Sequence, residues 1–395
     1  MKILYICHRF PFPPKRGGKI RPFNMISHLA KTHQVTVASL VRSVEEGKEG
    51  EGLSEHCFKY IMVRVNKFAA MLRMILRLPS LVPSTMGFFY SPDIARRIRK
   101  ELDENDFDLI FVHCSSVAQY VEDVKGIPKI LDFGDMDSQK WLEYAKVRSF
   151  PLTLGYKLEG MKMERAEKRL ARKFDYCSCT TRAEMETLQG YNVGCRTSWF
   201  PNGVDYNNFC PGDEPYEPDT ICFIGRMDYF PNQQCMFDFC KNTLPLIQAR
   251  RPGVKLTIIG ANPSPAVYKL AELPGVTVTG SVPDVKPYVQ VSAVNVAPLS
   301  IARGTQNKIL ESLAMGVPVV SSVAAAGGID AVVDEHFLTA TTPEEYADQI
   351  IRVLSDKEER SRLSKAGRAR MLSNHDWSAS MKRLDALIED CMSLN

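Results

Sequence analysis

Residues Gly304–Val320 read GTQNKILESLAMGVPVV. A flexible glycine and a hydroxyl residue run into good helix formers from Gln306 to Met315. Gly316 stops the helix, and Val317-Pro318-Val319-Val320 reads as a short buried strand. A helix N-terminus presents unpaired N–H groups and about half a positive charge, so Gly304, Thr305, Gln306 and Asn307 form a place for a phosphate. Lys308 sits in the first turn, where the helix dipole disfavours a cation, and an arriving anion would offset that. Glu311 is three residues on and shares the face of Lys308. A carboxylate one turn below a phosphate is placed to accept hydrogen bonds from ribose hydroxyls. The same residues also suit a surface turn followed by a Lys–Glu helix pair, and spacing alone does not separate the two.

Around this stretch the second half of the chain repeats a strand–helix rhythm. Thr220–Gly225 (TICFIG), Lys255–Gly260, Val276–Gly280 and Val294–Ala297 are apolar runs of strand length. Gly225-Arg226 closes the first of them, and Pro231-Asn232 opens a helix. Arginine suits a pyrophosphate because its fork makes two parallel charge-assisted bonds. Asp284 caps a short helix to Gln290. Helices are expected over 343–355, 357–373 and 377–392, the last with Met381, Leu384, Leu387 and Ile388 on one stripe.

The first half has the same rhythm. Lys2–Cys7 is a continuous apolar run, the pattern of a central parallel strand. A proline-rich loop ends in Gly17-Gly18 before a helix over 19–31, and 34–40 is the next strand. Glycines there let a ligand approach the backbone and expose a helix N-terminus to an anion. Asp108–His113 (DLIFVH) is a buried strand ending in histidine, where open α/β sheets place their ligands. Lys129–Asp132 is a strand followed by Asp135 and Asp137, which read either as cleft-lining acceptor-side residues or as a solvated loop. Residues 138–173 are helical, broken near Phe150-Pro151, and the charge-rich second part reads as a solvated face. Asp175–Thr181 is a strand whose Cys177 and Cys179 share one face as small core residues. A turn cluster at Pro201–Asp205 marks a boundary between two βαβ series.

Composition fits a two-domain soluble protein of 395 residues, with 24% charged residues. The net charge of +4 gives no argument for nucleic acid. Eleven cysteines lack metal spacing, so no metal site is expected and a reducing, cytoplasmic compartment is. Within KFAAMLRMILRL (67–78), Arg73 and Arg77 share a helix face, and Lys67 stands at its head. Such a basic, apolar helix lies on an anionic membrane, at the inner face of the cell membrane, or packs on a core with a snorkelling cationic edge.

The Gly304–Val320 stretch resembles the nucleotide-sugar helix of family 4 glycosyltransferases, retaining enzymes of the GT-B fold. It resembles in particular the exosortase-associated sugar transferases of bacterial exopolysaccharide systems, which share the RGTQNK-like loop. Gly17-Gly18, PNGVD and Gly225-Arg226 are similar to further family motifs. The resemblance implies two Rossmann-like domains facing each other across a cleft: an acceptor domain over 1–200, a donor domain over 201–375, and a helix over 376–395 crossing back. It implies transfer of a hexose from a nucleotide-diphosphate sugar to a glycan or lipid-linked acceptor, without a cofactor. Glu311 would hold the ribose, Arg226 and Lys308 would stabilise the leaving diphosphate, and His113 would contact the donor sugar. Two positions depart from the family. Arg303 stands where a glutamate is usual, and Asn232 where a lysine is common, so Lys308 and Arg303 are expected to supply the missing charge. A nucleotide-sugar 2-epimerase and a non-catalytic nucleotide-sugar-binding protein share the architecture and remain as alternatives.

Overall fold

Short apolar runs joined by helices fold into parallel strands, because each crossover helix returns the chain to the same end of the sheet. The computed structural model, which describes residues 1–14 and 17–393, contains two such sheets. Lys15 and Arg16 of the proline-rich loop lie outside the described residues. By internal contacts, Met1–Phe200 and the chain from Met381 form one unit and Pro201–Ser380 the other.

The first unit holds β1 (Lys2–Cys7), β2 (Gln34–Val41), β3 (Lys59–Arg64), β4 (Leu109–His113), β5 (Lys129–Gly134), β6 (Tyr176–Cys179) and β7 (Arg196–Trp199). Their order is β3-β2-β1-β4-β5-β6-β7, with every pairing parallel. The second unit holds β8 (Glu217–Ile224), β9 (Lys255–Ile259), β10 (Val276–Gly280), β11 (Ser292–Ala297), β12 (Val319–Ser322) and β13 (Leu338–Ala340). Their order is β10-β9-β8-β11-β12-β13, again parallel. In each sheet the strand order reverses once, between β1 and β4 and between β8 and β11. Loops leaving the strand ends at such a reversal diverge and open a crevice, where ligands bind in sheets of this kind.

Several boundaries differ from the sequence reading for local reasons. The strand expected from Val317 begins at Val319, because the Val317 N–H turns back to the Ser312 carbonyl at 2.9 Å. The short helix before β11 begins at Lys286 rather than at Asp284. Asp284 Oδ1 still accepts the Lys286 N–H at 2.9 Å. The edge strand β3 has no expectation above. Its signal is a short apolar run, Tyr60–Val63, between Lys59 and Arg64, with Ile61 and Val63 facing inward.

The helical stretch after β5 is two helices, Asp137–Val147 and Leu152–Ala171. The second is not a solvated face throughout, since it buries Gly160, Met163, Ala166, Glu167, Leu170 and Ala171. A Cβ on Gly160 would lie 2.8 Å from Leu142 Cγ, so glycine is what lets the two helices meet. Glu167 accepts the Ser138 N–H at 2.9 Å and the Tyr191 hydroxyl at 2.9 Å, tying down the start of the first helix. Burial pushes its carboxyl up to about 8 despite these donors.

The helix Trp377–Met392 is amphipathic, and Leu384, Leu387, Ile388 and Cys391 on it are buried. Asp385 accepts from or pairs with His28 Nε2 at 2.8 and 2.9 Å, and the Arg383 guanidinium lies over the Trp199 ring at 5.1 Å. Cys177 and Cys179 are fully buried in the core of the first unit. No helix among the described residues is long and apolar enough to cross a membrane.

Candidate active site

At the reversal in the second sheet, β8 delivers Gly225 and Arg226 from one side. The loop after β11 delivers residues 303–306 from the other and runs into the helix Asn307–Ala314. Close backbone approach shapes both. A Cβ on Gly260 would lie 1.7 Å from the Gly225 carbonyl oxygen, and one on Gly328 would lie 2.0 Å from that of Gly304. Gly304 itself has φ +62°, in the left-handed region. Gly328→Ala must therefore push the 303–306 loop aside. We expect a loss of about 1–3 kcal/mol in stability, the range for overpacking, and weaker ligand binding at the loop. Thermal melts with and without nucleotide check both effects, and an unchanged wild-type profile would show the loop to be pliant.

Lys308 is half-buried on the first turn of the Asn307–Ala314 helix. Its Nζ donates to Asn232 Oδ1 at 2.7 Å and lies 4.4 Å from the centroid of the Phe223 ring. Asn232 is buried and donates through Nδ2 to the Arg226 carbonyl at 2.9 Å. The resemblance expects a lysine at 232. A lysine ammonium does reach that point, but it comes from the opposite helix. Burial pulls the Lys308 ammonium down to about 8, and Glu311, one turn on, opposes this. Burial pushes the Glu311 carboxyl up to about 7, with Lys308 opposing. A cation and a carboxylate that both move toward neutrality at the end of a strand show the kind of perturbation that clusters at functional sites and also occurs in structural ion pairs.

The other expected residues of this unit lie just after β8 and on the loop that leads into the Asn307–Ala314 helix. The Arg226 guanidinium is in an ion pair with Asp228. Thr305 Oγ1 is buried and has no hydrogen-bond partner among the described residues. Gln306 caps the helix by position and donates through Nε2 to the Arg303 carbonyl at 3.0 Å. Asn307 Oδ1 accepts from Asn202 Nδ2 at 3.4 Å. Arg303 is half-buried at the head of the loop.

The first unit has its own strand-end cluster. Parallel register sets His113 on β4 beside Asp132 on β5, and Asp132 beside Ser178 on β6. Residues paired in this way point to the same face. Asp132 is fully buried and accepts from Arg21 Nε at 2.9 Å, Arg21 Nη2 at 3.0 Å and the Ser178 hydroxyl at 2.9 Å. His113 Nδ1 lies 2.7 Å from Asp132 Oδ2. Burial alone would raise the Asp132 carboxyl, but the Arg21 guanidinium and His113 outweigh it and hold it well below the usual range. Asp132 is thus an acceptor, so His113 Nδ1 carries the proton and Nε2 is the ring's remaining polar atom. The next residue, Cys114, has φ +86°, a costly conformation for a side-chain-bearing residue and one that clusters at functional sites.

The sequence reading above gives Arg21 no role and names Asp132 only as the end of a strand. A polar residue ending an apolar strand, Asp132 after Lys129–Leu131, was the available signal. Gly17 and Gly18 are exposed at the head of the helix that carries Arg21. Asp135 accepts from Thr180 Oγ1 at 2.7 Å, and burial raises its carboxyl. Asp137 instead pairs with Lys140 at 3.1 Å. The two carboxylates therefore serve different neighbours. No group of three or more metal-ligating side chains comes together among the described residues.

Comparison with solved structures identifies the fold. Sucrose-phosphate synthase from Thermosynechococcus elongatus superposes with a TM-score of 0.73 at 16% identity, covering 100% of both chains. Anabaena HepE in complex with UDP gives 0.70 at 13% identity, over 99% of this chain and 100% of that one. Trehalose 6-phosphate synthase from Burkholderia multivorans gives 0.67 at 13%, over 100% and 99%. The architecture is that of the GT-B glycosyltransferases. In sequence, residues 16–208 match Glycosyltransferase Family 4 and residues 218–356 match Glycosyl transferases group 1, together well over half of the chain. The chain belongs to the glycosyltransferases, with a family 4 domain followed by a group 1 domain. No curated protein matches it in sequence.

Proposed function

We propose that the protein is a retaining hexosyltransferase that moves a sugar from a nucleotide-diphosphate donor to a hydroxyl acceptor in exopolysaccharide or other cell-surface glycan synthesis. The observation that supports this reading best is the Lys308 ammonium, held by Asn232 at a strand-end crevice beside Arg226 and Glu311. As the glycosidic bond breaks, negative charge grows on the leaving diphosphate, and a fixed cation binds it more tightly than it binds the ground state. Glu311 accepts from the ribose hydroxyls, and the 303–306 loop adds N–H donors and the unpartnered Thr305 hydroxyl. His113, its Nδ1 engaged by Asp132, offers Nε2 to a sugar hydroxyl. The diphosphate itself takes the acceptor's proton. HepE is described with UDP, so UDP-glucose is the first donor to try. Asp135 and Asp137 belong to the acceptor side in this reading. The Lys67–Leu76 helix holds the protein at an anionic membrane surface where a lipid-linked acceptor would lie.

The site residues give this reading a pH signature. Glu311 must be ionised to accept from ribose, and its raised value means that the charged form appears only as pH rises through about 7. Lys308 must be charged to meet phosphate, and its lowered value means that the charge is lost as pH rises through about 8. Donor affinity should therefore peak between these two values. Glu311→Gln should flatten the acidic limb and weaken binding by roughly 1–3 kcal/mol. Calorimetric titration with UDP-glucose across that range, with GDP- and ADP-glucose as comparisons, is the test. Affinity independent of pH and unaffected by Glu311→Gln would remove the ribose and phosphate roles. Donor binding without transfer or hydrolysis would favour a binding protein, and release of a free epimer would favour an epimerase.

A further inference from the structure

The first unit carries an apolar surface that its own core leaves uncovered. Among the described residues of this unit, seventeen large apolar side chains are exposed, and fourteen of them fall in two stretches, 68–82 and 147–161. Phe68 is 80% exposed and Phe150, at the tip of the turn between the helices Asp137–Val147 and Leu152–Ala171, is 82% exposed. Monomeric proteins rarely expose a contiguous patch of this extent without using it.

The two stretches form one surface because their polar neighbours bind each other. Lys162 Nζ donates to the Leu78 carbonyl at 2.7 Å and to that of Arg77 at 3.1 Å. Glu159 accepts from the Ser84 and Thr85 N–H groups at 3.0 and 2.8 Å. With 159 and 162 turned towards the 77–85 segment, Leu154, Leu158 and Met161 form a separate stripe at i, i+4 and i+7 that stays exposed. The charge around the patch is predominantly positive, although Lys146 is paired with Glu143 at 2.8 Å. Residues 67–82 hold three cations and no acid, and residues 146–165 hold five cations and two acids. This surface therefore carries a net charge of six, whereas the whole chain carries only +4. One of the two acids, Glu159, is already engaged by the backbone, and the other, Glu164, pairs with Lys168 at 2.6 Å.

We propose that the hairpin of Asp137–Val147 and Leu152–Ala171 is a second lipid-facing element. Together with the Lys67–Leu76 helix it makes a single face for the headgroups and upper acyl chains of an anionic bilayer. This rests on the peripheral reading of the Lys67–Leu76 helix and extends it to a segment whose sequence reads as an ordinary charged helix. Apolar tips flanked by predominantly positive charge match a bilayer, which offers hydrocarbon below a layer of phosphate. A protein partner would have to repeat both features over the same span.

Flotation of the full chain with phosphatidylcholine vesicles, with and without phosphatidylglycerol, tests the proposal. Wild type should float with the anionic vesicles, not with the neutral ones, and less so as salt is raised. The hairpin variant Leu154→Ser/Leu158→Ser/Met161→Ser should lose about tenfold or more in partitioning, from three apolar side chains removed from the acyl boundary. Phe150→Ser, a change at a fully open turn that leaves the helices untouched, should lose several-fold. Unchanged UDP-glucose affinity by calorimetry would show both variants folded. Hairpin variants that float like wild type, while Leu72→Ser/Ile75→Ser does not, would overturn the proposal and leave the earlier helix reading intact. Failure of the wild type to float would overturn both. A wild-type dimer that becomes monomeric in the hairpin variants, without flotation, would assign the face to a second copy and also overturn the proposal. Donor binding is independent of each of these results.

Discussion

Arg21→Met is expected to destabilise the first unit by about 3–5 kcal/mol, the cost of leaving a buried charge without its partner. Asp132 is fully buried, and two of its hydrogen bonds come from the Arg21 guanidinium. Arg21 also donates to the Phe200 carbonyl at 2.9 Å and lies 3.8 Å from the centroid of the Phe200 ring, so a methionine loses more than charge. Urea unfolding followed by tryptophan fluorescence reads the effect, since Trp141 and Trp199 both belong to this unit. The double variant Arg21→Met/Asp132→Asn should recover part of the loss, because a neutral amide costs less to bury than a carboxylate. The sign with pH follows from the depressed Asp132 carboxyl. Its contribution is complete above the ordinary value of 3.8 and disappears as pH falls through its lower folded value. If Arg21→Met were as stable as wild type at neutral pH, Asp132 would have to be solvated, and the tautomer assigned to His113 would fall with it.

Lys308→Met should lower kcat by about 10²–10³-fold, the scale of removing one preorganised group that meets developing charge, with a smaller change in donor Kd. The decisive comparison is with Asn232. Asn232→Lys alone would set a second ammonium within hydrogen-bonding distance of Lys308 and should impair both stability and turnover. Lys308→Met/Asn232→Lys restores one ammonium to the same point from the other helix and should regain part of the activity. Steady-state kinetics of the four proteins form a cycle. Additive losses in the double variant would mean that the two positions do not share a charge site.

The sequence makes the alternation of strands and helices legible because each strand is a self-contained apolar run. The expectation of an anion at the Gly304–Val320 stretch, set there beside an ordinary surface turn, has a similarly local basis, since a helix N-terminus and its capping residues are contiguous. What escapes is contact across register. His113, Asp132 and Ser178 are far apart in the chain and become neighbours only when β4, β5 and β6 align. The Lys308–Asn232 bond likewise joins two helices 76 positions apart. The sequence leads to the expectation that Lys308 and Arg303 supply the charge absent at Asn232, but no local pattern shows that the Lys308 ammonium would lie 2.7 Å from Asn232 Oδ1. The Leu152–Ala171 helix looks solvated because charged residues fill its sequence. Only the position of Glu159 and Lys162 against the 77–85 segment reveals which apolar side chains are left outside.

The first unit receives its last helix from beyond the second. Met381 follows Phe200 by about 180 residues, which a ribosome adds in roughly 10–40 s at ordinary elongation rates. Throughout that interval the groove for Leu384, Leu387, Ile388 and Cys391 stays open, and His28 lacks Asp385. A nascent first unit is therefore a sticky, incomplete particle while the second is still being translated. Slow codons between 201 and 380 would lengthen that exposure, and a chaperone that holds the open groove should raise the yield of soluble protein.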